Sequence, residues 1–252
     1  MVGALLLSAP AFAAEPALED FFPLVTRRPA LEQEVAGRVE HAKGPRARET
    51  AGSLAVDLLL LPRWQVELAV PVRLLAPRGE PVRGGLGDIE LENKVLLFQS
   101  AHLGALVTGG FAARLPTGSG DRGLGGEALL TPFLSAGLAP GGFFLVGEVA
   151  YGWQAHNPEP GPRSQDVQAG LVFGVPVGRW LIPLLEVTTV HRLRGMDDAG
   201  GPRLQGRQQV YLTPGLNIQI LPEATLGLGV QVALTSARAA DYSLLLSLDW
   251  GF

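Results

Sequence analysis

From Leu31 onward, apolar side chains recur at every second position over stretches of about ten residues, the length of a tilted strand crossing a bilayer. The clearest stretch is the last. Tyr242, Leu244, Leu246, Leu248, Trp250 and Phe252 alternate with Ser243, Ser247, Asp249 and Gly251, and Leu245 is the only large apolar residue of the second set. A period of two makes a β-strand with one greasy face and one wet face. Residues 64–75 repeat the pattern: Trp64, Val66, Leu68, Val70, Val72 and Leu74 stand against Gln65, Glu67 and Arg73. In residues 225–235, Leu226, Leu228, Val230, Val232 and Leu234 oppose Thr225, Gly227, Gly229, Gln231 and Thr235. The whole series predicts about twelve strands: 31–41, 52–61, 64–75, 88–98, 103–115, 128–139, 143–154, 166–176, 181–191, 208–220, 225–235 and 241–252.

The connections carry the second signal. Those at 62–63, 99–102, 140–142, 177–180 and 221–224 are short. Those at 42–51, 76–87, 116–127, 155–165, 192–207 and 236–240 are mostly long and rich in Gly, Pro and charge. Short and long alternate without exception. Outer-membrane barrels have short periplasmic turns and longer outer loops, whereas a soluble Greek-key sandwich has no reason to alternate so strictly. The fold class predicted is therefore all-β, a transmembrane antiparallel β-barrel of outer-membrane type. An even strand count puts both termini in the periplasm. The closing strand, with aromatics at both ends, resembles the recognition signal of such barrels, so Tyr242, Trp250 and Phe252 are expected to meet the barrel-assembly machinery. Pro71, Pro132, Pro176, Pro183 and Pro214 oppose this reading, because each removes a ladder donor inside a proposed strand. Pro176 and Pro183 lie near strand ends. Pro132 and Pro214 lie nearer the middle, where a bulge or a lumen water is expected.

Composition agrees with the pattern. The chain of 252 residues is 47% hydrophobic and only 17% charged, against about 25% charged in soluble domains. No apolar run reaches the length of a membrane-spanning helix. A net charge of −4 without a basic stripe gives no footprint for nucleic acid. The absence of Cys excludes disulfides and Cys-ligated metals. Residues 2–9 are apolar and precede Ala11-Phe12-Ala13, a small-x-small cleavage pattern, although no Lys or Arg comes before them. The expected organisation is a signal peptide over 1–14, a periplasmic tail over 15–30 that folds back into the lumen, and a barrel over 31–252.

Candidate chemistry is sparse. Residues 118–123 match GxGxxG, but another strand follows where a phosphate-binding helix would have to begin. His41, His102, His156 and His191 share no metal-ligand spacing. None is followed two residues later by Ser, the arrangement of the barrel phospholipases, and no catalytic residues or cofactors are predicted. Asp197-Asp198 is an acidic pair that could hold Ca²⁺ or simply be solvated. The inward faces carry more. Glu32, Glu34, Glu40, Asp57, Glu67, Asp88, Glu90, Glu92, Glu148, Glu186 and Asp249 outnumber Arg38, Arg73, Lys94 and Arg114. Pairing cannot neutralise them all, and surplus buried charge is costly without water. A wet, acid-lined passage follows, with Arg38, Glu67, Arg73, Glu90, Arg114, Glu148, Glu186, Gln209 and Gln231 as its expected lining. The competing picture pairs these charges across the lumen and closes it. Basic loop residues such as Arg46, Arg78, Arg122, Arg163 and Arg203 suit a rim facing lipopolysaccharide phosphates, or a merely solvated one.

Three segments also resemble a known family. Phe22-Pro23-Leu24-Val25-Thr26-Arg27-Arg28-Pro29 looks like the pre-barrel "PLVTDRP" segment of the outer-membrane MetA-pathway-of-phenol-degradation family, with Arg27 standing where that family usually has Asp. Residues 85–91 (GLGDIEL) look like its "GLGD-x-x-L" motif. Leu115-Pro116-Thr117-Gly118 followed by Leu124-Gly125-Gly126 look like its "LPTG…LGxG" motif. The resemblance implies an outer-membrane barrel that passes small, hydrophobic or aromatic compounds, and it supplies no catalytic residues. The expected function is passive passage of small solutes. A membrane-embedded lipid-modifying enzyme and a closed structural or adhesive barrel remain as alternatives.

Overall fold

A computed structural model describes residues 18, 21–156, 163–194 and 206–252. Thirteen strands follow one another: β1 (Glu34–Lys43), β2 (Ala47–Leu61), β3 (Trp64–Pro77), β4 (Arg83–Leu86), β5 (Glu90–Ser100), β6 (Ala105–Arg114), β7 (Ala128–Leu138), β8 (Phe144–His156), β9 (Gln165–Gly174), β10 (Leu181–Arg194), β11 (Gln208–Leu221), β12 (Ala224–Ala233) and β13 (Tyr242–Gly251). Each pairs antiparallel with its neighbours. β13 closes on β1, running from Glu34↔Gly251 to Lys43↔Tyr242. β4 pairs with β3 alone. The result is a closed twelve-stranded antiparallel barrel with one short extra strand.

The two faces are inverted relative to a soluble protein. Large apolar side chains such as Leu54, Leu68, Val72, Leu134, Leu171, Leu228 and Leu246 point outward and are exposed, while Thr108, Ser135, Glu186 and Thr213 point inward and are fully buried. Closure satisfies the strand edges, and the apolar outer face suits lipid.

The first long connection is a correction. Residues 42–51 were expected as a loop, but only 44–46 connect β1 to β2. Register pairing runs on through Lys43↔Arg48 and, on the other side, Ala47↔Pro77. Alternation of charge conceals these strand ends: beyond the bilayer a strand no longer needs an apolar outer face. The second connection likewise contains β4.

The prolines are also resolved. Pro71 lies where β3 exchanges β5 (last pair Ala69↔Glu90) for β4 (first pair Val72↔Leu86), so its missing donor falls between two ladders. At Pro132 the ladder passes from Leu130↔Trp153 to Phe133↔Ala150, and at Pro214 from Leu212↔Val232 to Gly215↔Gly229. The register is kept at both, so neither proline sits in a bulge and two pairs drop out at each. Pro176 lies beyond the end of β9. Pro183 sits past the last β9 pair and accepts the Val175 N–H at 3.1 Å.

Candidate functional site

The lumen is occupied by the chain's own N-terminal segment, residues 21–33. Its packing explains several inward positions. Towards the short-turn end the inner wall is apolar, with Leu96, Leu106, Phe144, Val146, Val172 and Leu184 buried against Leu18, Phe21 and Ala30. Phe21 stacks on Phe144 with ring centroids 4.8 Å apart. Inward glycines make the room. A Cβ at Gly215 would lie 2.5 Å from Leu24, one at Gly227 would lie 2.8 Å from it, and Gly229 is equally crowded by it. Gly137 faces Pro29 and Leu18, Gly170 faces Thr26, and Gly174 faces Phe21 in the same way. A side chain at any of these positions would compete with the tail for space.

Polar contacts then fix the segment. Glu186, fully buried on β10, accepts successive backbone N–H groups: Leu24, Val25 at 3.1 Å and Thr26 at 3.0 Å. The Arg27 guanidinium spans Glu92 on β5 at 2.8 Å and Glu148 on β8, and lies 4.7 Å over the Phe133 ring. Its backbone N–H donates to Glu148 at 2.6 Å. Arg28 pairs with Glu34 at 2.8 Å and Glu32 at 3.2 Å, with its charge 4.1 Å over Phe22. Ser135 donates to the Arg27 carbonyl and Asn217 to the Phe22 carbonyl, both at 2.8 Å. Burial alone would push the Arg27 guanidinium down, but the charges of Glu148 and Glu92 outweigh it and hold it above the ordinary arginine value. Arg28 is likewise raised against its own burial, by Glu34 and Glu32. Both raised groups keep their charge below their folded values, so their attachments persist throughout the neutral range.

Two cavities remain beside the segment. One of about 390 Å³ is lined by Arg38, Arg73, Arg114 and Asp88. The other, about 280 Å³, is lined by the tail from Phe22 to Arg28 and by Asp57, Lys94 and Asp249. Leu24, Arg38, Glu67 and Glu90 line both. Of the sequence-predicted lining, Arg38, Glu67, Arg73, Glu90 and Arg114 therefore share the larger cavity. Arg73 pairs with Glu49 at 2.6 Å, and Arg114 with Glu90 at 2.7 Å. Glu148 and Glu186 hold the tail. Gln209 and Gln231 line neither cavity. Gln209 accepts from Tyr211 Oη at 3.0 Å and from the Ala239 N–H at 3.1 Å, beneath the last loop.

The two internal motifs meet at the long-loop end. Asp88 accepts the N–H groups of Gly118 at 2.8 Å, Gly126 at 2.7 Å and Glu127 at 3.1 Å. Leu124 is fully buried, and Arg73 donates to its carbonyl at 3.1 Å. The glycine-rich stretch 118–126 is thus a clasp folded onto Asp88. Asp197-Asp198 lies outside the described residues.

Two signals for the tail's seat were present in the sequence. Inward glycines recur on β7, β9, β11 and β12, and apolar residues occupy both faces at Leu145-Val146, Leu171-Val172-Phe173 and Leu184-Leu185. Glu92 is one inward acid among many in the sequence, and its role appears only with its partner Arg27.

No protein-family model matches the chain, and no curated protein matches it. Solved structures do. An outer-membrane channel of the COG4313 group from Pseudomonas putida F1 superposes with a TM-score of 0.73 at 12% identity, covering 95% of this chain and 100% of that one. The NanC porin gives 0.60 at 11% identity, over 86% and 98% of the two chains. The translocator domain of the autotransporter NalP from Neisseria meningitidis also gives 0.60, at 10% identity, over 88% and 89%. The chain has the fold of an outer-membrane β-barrel. The fold houses both channels and an autotransporter translocator, so function must be argued from the lumen.

Proposed function

We propose that this barrel is an outer-membrane channel for passive passage of small solutes, of the kind suggested by its resemblance to the MetA-pathway family. The observation carrying this reading is the pair of charged cavities sharing Leu24, Arg38, Glu67 and Glu90 along one side of the tail. They give water and small solutes room beside the tail. The channel and porin among the fold relatives support the same reading, and no enzymatic role is assigned. The apolar outer face would meet lipid, and the basic loop rim lipopolysaccharide. Tyr242, Trp250 and Phe252 on the closing strand would engage the assembly machinery. The hydrophobic or aromatic compounds that the resemblance implies remain within the proposed solute range.

A second reading has its own observation. The many bonds from the wall to residues 22–28 would suit a permanently closed structural barrel. Liposome swelling separates the two. Full-length barrel in vesicles should admit a small neutral sugar and exclude larger oligosaccharides. Vesicles that exclude every sugar, including the smallest, would favour the closed barrel.

A further inference from the structure

At the long-loop end, one sector of the outer wall gathers basic side chains. Lys43 on β1 and Arg48 on β2 are direct cross-strand partners. By alternation they share the outward face of Val39 and Leu54. Arg46 lies in the turn between these strands, and its carbonyl accepts the Arg78 N–H at 2.8 Å, just past the end of β3. Arg48 pairs with Ala76, so Arg78 stands diagonal to it, two residues along. Directly opposed side chains on one sheet face lie about 5 Å apart, and diagonal ones about 7–8 Å. Lys43, Arg46, Arg48 and Arg78 therefore crowd one small patch. Arg48 and Arg78 are exposed, and Lys43 and Arg46 are half-buried.

Like charges directly opposed on a sheet destabilise it. Among the described residues none of these bases forms an ion pair, because the acids of the adjoining segments are taken. Glu49 holds Arg73 inside the wall, Glu80 holds Arg83, and Asp241 holds Arg238. The patch is thus left to an external anion. Its level is set by Tyr242, which pairs with Lys43 across the β1–β13 seam and lies 5.8 Å under the Lys43 ammonium group. Outward aromatics at strand ends mark the headgroup level of a bilayer. Towards the midplane the same face turns apolar, with Val39, Leu54, Val72, Leu74 and Leu244 exposed. Gly37 and Gly52 share it, and a Cβ at Gly37 would meet nothing within 4 Å. These low points leave acyl chains a surface to lie on. The corresponding ends of β8 and β9 present Trp153, Gln165 and Val167 instead of bases.

We propose that this sector is a lipopolysaccharide site, with the lipid A phosphates on Lys43, Arg46, Arg48 and Arg78 and the acyl chains on the apolar face beside them. The guanidinium forks of the arginines match phosphate oxygens in two-bond geometry. Both parts of the ligand are needed. A free phosphate would use the bases alone, and an uncharged lipid only the apolar face. An anion on the patch also removes the repulsion between Lys43 and Arg48, so binding stabilises the β1–β2 hairpin. The inference rests on the outer-membrane placement of the barrel and narrows its basic rim to one sector. It is independent of whether the lumen conducts.

The test is native mass spectrometry of the full-length barrel in a non-ionic detergent. The probes are bisphosphorylated lipid A, the same lipid with its phosphates removed, and inorganic phosphate as a competitor. The barrel should hold bisphosphorylated lipid A at least roughly tenfold more tightly than the dephosphorylated lipid, the factor that one charge-assisted hydrogen bond supplies. Lys43→Gln combined with Arg48→Gln and Arg78→Gln should abolish that preference, and Arg48→Lys combined with Arg78→Lys should retain part of it. Arg179→Gln removes an exposed base at the short-turn end and should leave the preference unchanged. Heat-modifiable mobility checks that each variant is folded. If the triple variant does not assemble, Arg48→Gln alone decides, and it should reduce the preference several-fold. Equal binding of the two lipids would overturn the inference, as would a preference unchanged by the Gln variants or lost equally in Arg179→Gln. Displacement of the lipid by inorganic phosphate at equal concentration would overturn it too, in favour of a free-phosphate site. A barrel absent from outer-membrane fractions would overturn the placement instead.

Discussion

Replacing Glu186 with Ala should free the tail while leaving the barrel closed. The Glu186 carboxylate is fully buried and accepts the N–H groups of Leu24, Val25 and Thr26. A hydrogen bond to a charged acceptor contributes about 1.5–3 kcal/mol. Three such bonds set an upper range, from which the relieved desolvation cost of the carboxylate must be subtracted. Val25 is itself exposed, so water can replace part of its bond. A net loss of about 3 kcal/mol follows, which shifts the docked-to-undocked ratio roughly a hundredfold. Glu186→Gln keeps one acceptor oxygen and should shift it by about fivefold. The chain contains no Cys, so a single Thr26→Cys substitution reports on the tail alone. Thr26 is only 5% exposed when docked. With slow labelling chemistry, the rate of modification by a membrane-impermeant maleimide follows the undocked population. It should rise steeply in Glu186→Ala and modestly in Glu186→Gln, with heat-modifiable mobility unchanged in both. Equal labelling rates in all three backgrounds would refute Glu186 as the anchor.

Other consequences follow from the wall, the clasp and the closing strand. Leu228→Lys, on the outer face, should cost about 2–4 kcal/mol near the midplane, whereas inward Gln231→Lys should be tolerated; vesicle refolding in urea measures both, and the opposite order would mean a register wrong by one residue. Asp88→Ala orphans three loop N–H groups and should make residues 115–127 several-fold more sensitive to external protease without dissociating the barrel, unless the clasp holds by Leu124 burial alone. Deleting Phe252, whose N–H donates to the Gln33 carbonyl at 3.1 Å, should lower the yield of heat-modifiable barrel in outer-membrane fractions; an unchanged yield would count against a terminal assembly signal.

The wall was legible from the sequence because lipid imposes a strict rule. Every outward position of residues 64–75 and 225–235 must be apolar, and the period of two appears directly. Strand ends outside the bilayer escape that rule, which is why β2 was read as starting near Gly52 when it begins at Ala47. The lumen was only partly legible. An inward acid has the same appearance in sequence whether it faces water, as Glu40 does, or grips the tail, as Glu148 and Glu186 do. The difference lies in partners more than a hundred residues away. Arg27 and Arg28 stand outside the barrel strands in the sequence, so a count of wall charges omits them. In the fold they neutralise part of that surplus, at Glu92, Glu148 and Glu34.

The most direct test of the channel account is the reversal potential of the full-length barrel in a planar bilayer under a salt gradient. With Glu148 occupied by Arg27 and Glu186 by the tail backbone, Glu67 and the Arg114-paired Glu90 are the predicted acids that line both cavities. The account predicts measurable current with a preference for cations. Glu67→Gln combined with Glu90→Gln should shift the potential towards anions, by an amount that shrinks at high salt. A barrel that carries no current, either as the full-length chain or as the Glu186→Ala variant, would contradict it.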